Sequence, residues 1–123
     1  MIQARMTAEK EAVLPLMILG ANGIEVVLPS IIDTGFTEML SLSKEWIDAL
    51  DLEFVCDESV ILADGSSLGV EIYKATVVWD GKRCPVRVHC MEGDPLIGMG
   101  LMKDFLLHLP VRIGSEFTIS EID

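Results

Sequence analysis

Three dipeptides, Asn22-Gly23, Asp64-Gly65 and Asp80-Gly81, stand between apolar segments and constrain this chain more than any other feature. Asn, Asp and Gly tolerate the positive φ of tight hairpin turns, so each dipeptide predicts a pair of antiparallel strands. The first joins segments 12–19 and 24–29, and the second joins 53–62 and 67–79. The third starts a strand over 82–91. Ile31-Ile32 and residues 39–42 add short extended segments, and 116–122 alternates as a terminal strand does. Pro110 breaks the segment before it. Ser43 is placed as the N-cap of a short helix through Leu50, with Trp46, Ile47 and Leu50 on one face. A second short helix is expected over 101–106. The sum is an all-β domain with one or two short helices.

The chain has 123 residues, enough for one domain with a single core. Residues 1–11 are polar and helix-tolerant, and are expected to form a flexible segment ahead of a domain over 12–123. No apolar run approaches the roughly 18 residues that cross a bilayer. The run at 13–19 is short, contains Pro15, and lacks the basic leader and cleavage site of a secretory signal. A soluble, cytoplasmic protein with no membrane partner is therefore expected. The net charge of −11 argues against nucleic acid as a partner, because phosphate binding needs clustered Lys and Arg.

Asp33 is the residue whose position asks for a chemical reason. Ile31 and Ile32 favour burial, Asp33 favours water or a partner, and Gly35 suggests a sharp turn. Asp-x-Gly can form a turn for backbone reasons alone. A carboxylate at the mouth of a buried loop can also activate a water molecule.

Asp33-Thr34-Gly35 inside an apolar flank resembles the active-site signature of retropepsin-like aspartic proteases, and Leu96-Ile97-Gly98 resembles their second motif. Ala63-Asp64-Gly65-Ser66 sits where that family carries the tip of its flap hairpin. The resemblance spans residues 12–122. The string Asp-Thr-Gly-Phe-Thr resembles a microbial, single-domain branch of the same clan. The implied fold is the retropepsin-like acid-protease closed barrel with half an active site per chain. The implied activity is aspartic endopeptidase, with no cofactor, no metal and a peptide or protein substrate.

With one Asp-Thr-Gly per chain, the resemblance implies a homodimer in which each copy contributes Asp33. One carboxylate would act as base towards water and the other as acid towards the scissile carbonyl. Such a pair shares one proton, an effect for which aspartic proteases are themselves the standard illustration. Thr34 would bond across the two-fold axis, and Gly35 would hold Asp33 through its amide. Ile32, Ile97 and Gly98 would support the active-site loop from beneath. Phe36, Ala63, Asp64, Gly65, Ser66 and Leu96 are the candidate substrate contacts, with Met39, Leu62 and Leu68 as further pocket walls. Phe36 departs from the family's usual small or hydroxyl residue and has no hydroxyl to offer the aspartate, so an optimum at mildly acidic pH is expected. Residues 116–122 are expected to build the sheet between chains. The alternative from another class is a non-catalytic dimerisation or peptide-binding module of the same fold.

Other chemistry has weaker support. Cys84, Val86, Val88 and Cys90 share one face of a strand by period-two counting, which reads as core, and His89 points to the other face. No paired Cys or His spacing suggests zinc, and Cys56 has no base at a recognisable distance.

Overall fold

The computed structural model describes residues 1–123. Ten strands and one α-helix follow one another along the chain. Strands β2 (Ala12–Leu19) and β3 (Glu25–Ile32) form the first hairpin, in register from Leu19 opposite Glu25 back to Val13 opposite Ile31. Asn22 (φ 56°) and Gly23 (φ 75°) supply the left-handed turn. On β2, Ala12, Leu14, Leu16 and Ile18 all face the core. Pro15 sits directly opposite Pro29 in this pair. The far edge of β2 is used at residues 12–13 and again at 17–19, so Pro15 falls in the gap where no amide is needed.

Strands β5 (Glu53–Ile61), β6 (Ser67–Trp79) and β7 (Lys82–Cys90) make a meander around the other two turns. Asp80 (φ 51°) and Gly81 (φ 77°) both adopt positive φ, as a two-residue hairpin turn requires. The short strands β4 (Leu40–Leu42) and β8 (Leu96–Ile97) complete the central sheet. Strand β8 lies between β3, to which it is parallel, and β4, to which it is antiparallel. Strand β4 runs parallel to β7, and β6 pairs with both β7 and β2. Strands β2, β3, β8, β4, β7 and β6 thereby close into a ring of six, filled by Leu16, Ile18, Leu40, Val77, Val88 and Ile97 among others. Helix α1 (Lys44–Ala49) buries Ile47, and Leu50 at its C-cap is buried too. Ser43 occupies the N-cap position without a side-chain bond to the helix.

Three expectations differ from what is observed. Residues 101–106 do not form a helix: 101–104 are turns, Asp104 takes φ 67°, and the chain leaves directly into β9 (Phe105–His108). Residues 2–6, read as part of a helix-tolerant flexible segment, form strand β1 (Ile2–Met6), with Met6 in the core and Ile2 and Ala4 packed against it. Strand β10 (Glu116–Glu121), expected to join two chains, is covered on both edges within one chain. Strand β1 pairs with one side and β9 with the other. Phe117 and Ile119 on β10 are fully buried, so it belongs to the fold's own core. The free sheet edges are those of β5 and β9.

Candidate active site

The Asp33 loop begins where β3 ends. The Asp33 amide donates to the Ile97 carbonyl at 2.9 Å, which continues the parallel β3–β8 pairing one residue past the strand. The chain then reverses, with the Phe36 amide donating to the Asp33 carbonyl at 3.2 Å. Gly35 donates its amide to the Asp33 carboxylate Oδ1 at 2.9 Å. A side chain on Gly35 would place Cβ 3.3 Å from that same oxygen. Asp33 is half-buried, whereas Thr34 and Gly35 are exposed at the loop's tip.

The loop is clamped from below by the segment after β8. Gly98, Met99 and Gly100 donate their amides to the carbonyls of Met39, Phe36 and Glu38, at 3.0, 2.8 and 3.0 Å. Gly98 is buried, and a Cβ there would stand 2.1 Å from the Glu38 carbonyl oxygen and 2.6 Å from Phe36 Cδ2. Only glycine permits that approach. Ile32 and Ile97 are buried register partners beneath the loop. Asp33, Gly35, Ile32, Ile97 and Gly98 are thus brought together, largely by backbone hydrogen bonds.

The largest cleft, about 750 Å³, opens beside this loop. One wall is Gly35, Phe36, Thr37 and Glu38; the opposite wall is the β5–β6 hairpin through Glu58, Val60, Leu62 and Leu68. His89, Cys90, Met91 and Glu92, where β7 ends, form the floor. The hairpin tip closes with the Leu62 amide on the Ser66 carbonyl at 2.8 Å and Gly65 at φ 86°. The Asp64 carboxylate accepts from the Ser66 hydroxyl at 2.5 Å and the Ser66 amide at 2.9 Å. Those two bonds, the hydroxyl's first, hold Asp64 below the usual carboxylate range.

Of the candidate substrate contacts, Phe36 lines this cleft, and so do the further candidates Leu62 and Leu68. Ala63, Asp64, Gly65 and Ser66 stand beyond it at the exposed tip. Leu96 pairs with Ile31 and Ser41 inside the sheet, and Met39 lines a separate cavity of about 420 Å³.

Sequence reasoning missed Glu38, Glu58, Glu92 and His89 as cleft residues. His89 is buried and packs edge-on against the Phe36 ring, with centroids 5.9 Å apart. Its Nδ1 has no partner, nor does the hydroxyl of Ser41, its register neighbour on β4. Strand alternation correctly sets His89 opposite Val88, but both faces of β7 are covered. A polar residue between Val88 and Cys90 was the available signal. Burial, and secondly the charge of Glu71, raise the Cys90 thiol, so it stays protonated near neutrality and offers no nucleophile. No group of three or more His, Cys, Asp or Glu is arranged to hold a metal ion. No helix is long and apolar enough to cross a membrane.

No protein-family model matches the chain, and no curated protein matches it. Among solved structures the chain is similar to a retropepsin-like aspartic protease from Rickettsia conorii, with a TM-score of 0.62 and 20% identity. The match covers 97% of this chain and 87% of that one. The likeness shows the fold: this chain has a retropepsin-like fold.

Proposed function

We propose that this chain is an aspartic endopeptidase that acts as a homodimer, with Asp33 from each copy forming the catalytic pair. One observation carries the reading. Asp33 is held half-exposed by the amide of Gly35, and that glycine and the three residues after it line a cleft large enough for an extended peptide and walled by a hairpin. Hydrolysis by this route needs two carboxylates sharing a proton, one to take a proton from water and one to polarise the carbonyl. The chain carries one Asp-Thr-Gly, so the second carboxylate comes from a second copy. The exposure of Thr34 and Gly35 supports this arrangement, since both are available for contact with a partner loop. The β5–β6 hairpin closes over the bound peptide and pairs with its backbone.

Cleavage of a diverse peptide library by wild type and Asp33→Asn, from about pH 3 to pH 8, tests the proposal. Cuts made by wild type alone establish the activity and locate its pH optimum, which is expected to be mildly acidic. Sedimentation of Asp33→Asn is expected to show a dimer as tight as wild type or tighter, because the substitution removes like-charge repulsion. Peptide binding by a dimeric wild type that makes no cuts identifies the binding-module alternative instead.

A further inference from the structure

We propose that the cleft contains a subsite for a basic side chain of the substrate, built from Glu38, Glu58 and His89, with arginine the best occupant. The proposal deepens the peptidase reading and rests on it for its kinetic test. Three carboxylates, those of Glu38, Glu58 and Glu92, line the cleft, and no Lys or Arg does. Glu38 reaches in from the Asp33 loop and Glu58 from the hairpin, so the two come from opposite walls.

His89 lies between them and is unsatisfied. Its side chain is only 4% exposed, against 53% for Glu38 and 41% for Glu58. Its Nε2 stands 3.7 Å from Glu58 Oε2 and 4.0 Å from Glu38 Oε2, beyond hydrogen-bond reach of either. Its Nδ1 has no partner at all. Nδ1 is fully buried, but Nε2, without a bond and facing a carboxylate from each wall, is a polar atom that a ligand in the cleft can satisfy together with those carboxylates.

The charges favour a cation. Arg87 donates to Glu58 Oε1 at 3.2 Å, which leaves Oε2 free towards the cleft. A guanidinium presents planar donors at two edges, matching one carboxylate on each wall, and its face can stack on the Phe36 ring. Lysine brings one compact charge and spans less of the gap. The net charge of −11 enriches basic peptides near the surface without selecting any one position.

The test uses nine-residue peptides of alanine and leucine with a single arginine moved through every position, and a matching series with citrulline, its neutral isostere. For wild type, arginine is expected to be favoured over citrulline in kcat/KM by about tenfold or more at one position. In Glu38→Gln/Glu58→Gln that ratio falls to about twofold or less, with each single variant between. Circular dichroism checks that these exposed substitutions leave the fold intact. A ratio near one at every position in wild type, or a ratio unchanged in the double variant, overturns the subsite. Failure to cleave any peptide counts against the peptidase reading, and the subsite is then read by binding alone. Fluorescence anisotropy of the same peptides, labelled, with the full Asp33→Asn chain is expected to show arginine about tenfold tighter than citrulline. Equal binding, or none, overturns it.

Discussion

Gly98→Ala is the most informative single substitution outside the carboxylate itself. The added methyl would lie 2.1 Å from the Glu38 carbonyl oxygen and 2.6 Å from the Phe36 carbonyl oxygen. That is more than about 1 Å inside ordinary contact, and both obstacles are backbone. No rotamer change relieves the clash, so the Asp33 loop and the 97–100 segment must separate. Separation weakens the three amide–carbonyl bonds from Gly98, Met99 and Gly100. At about 1 kcal/mol each, added to about 1–3 kcal/mol for overpacking, the loss is about 4–6 kcal/mol. With a urea m-value of about 2 kcal/mol/M, the unfolding midpoint falls by about 2–3 M. The assay is urea unfolding followed by tryptophan fluorescence, since Trp79 is buried in the core. Protein concentration is held fixed so that any self-association is common to all variants. Two companions calibrate the result. Gly100→Ala brings Cβ only to 2.9 Å from the Glu38 carbonyl carbon and is expected to cost about 1–2 kcal/mol. Gly69→Ala meets nothing within 4 Å and is expected to stay within about 0.5 kcal/mol of wild type. A loss below about 1 kcal/mol for Gly98→Ala, or one no larger than for Gly100→Ala, refutes the clamp.

The core and the hairpin tip give further tests. Phe117→Ala removes a fully buried ring and is expected to cost about 3–5 kcal/mol in the same urea assay, whereas exposed Leu106→Ala stays within about 0.5 kcal/mol. Deleting 116–123 takes away β10 and is expected to give an unfolded chain by circular dichroism; a folded monomer would show that β10 serves only assembly. At the tip, the folded-state pKa of Asp64 lies below its ordinary 3.8, so its turn contribution is present above that value. The contribution is lost only as pH falls through the depressed pKa. The Ser66 amide resonance is therefore expected to stay fixed above about pH 5 and to titrate below the usual aspartate range, with Ser66→Ala moving the midpoint up. A wild-type midpoint at or above the ordinary value contradicts that account.

Local chemistry explains which parts of this fold were readable from the sequence. The hairpins follow from residues that tolerate positive φ: Asn22, Gly23, Gly65, Asp80 and Gly81 all adopt it. Their strands begin and end within a residue or so of the expected positions, except that β3 runs on from the expected end at 29 to Ile32 and absorbs the short segment read at Ile31-Ile32. What could not be read depends on distant partners. Residues 2–6 become a strand because β10 and β2 offer edges to pair with, and nothing in their own composition says so. Residues 101–106 have helix-like apolar spacing, yet Asp104 turns left-handed and β10 captures the next four residues. The cleft was legible at Phe36 on the Asp33 loop and at Leu62 and Leu68 on the hairpin, but not in its charged residues. Glu58 and His89 reach it because the meander is set against the Asp33 loop by the parallel pairing of β7 with β4, which puts His89 beside Ser41 from far off in sequence.

Those long-range pairings also divide the labour of the site. The placement of Asp33 depends on its own loop, through the Gly35 amide, and on β8, through the Ile97 carbonyl. Both are internal to one chain, so the carboxylate is held in place without any contact from outside the chain. On the proposed function, the partner then has only to align two prepared loops, which keeps the entropy of ordering out of the association step. Cleft chemistry is separately set by the hairpin and the end of β7, which carry Glu58, His89 and Glu92. On the proposed function, substitutions in the clamp therefore lower stability and turnover together, while substitutions at Glu38 and Glu58 change which peptides are cut.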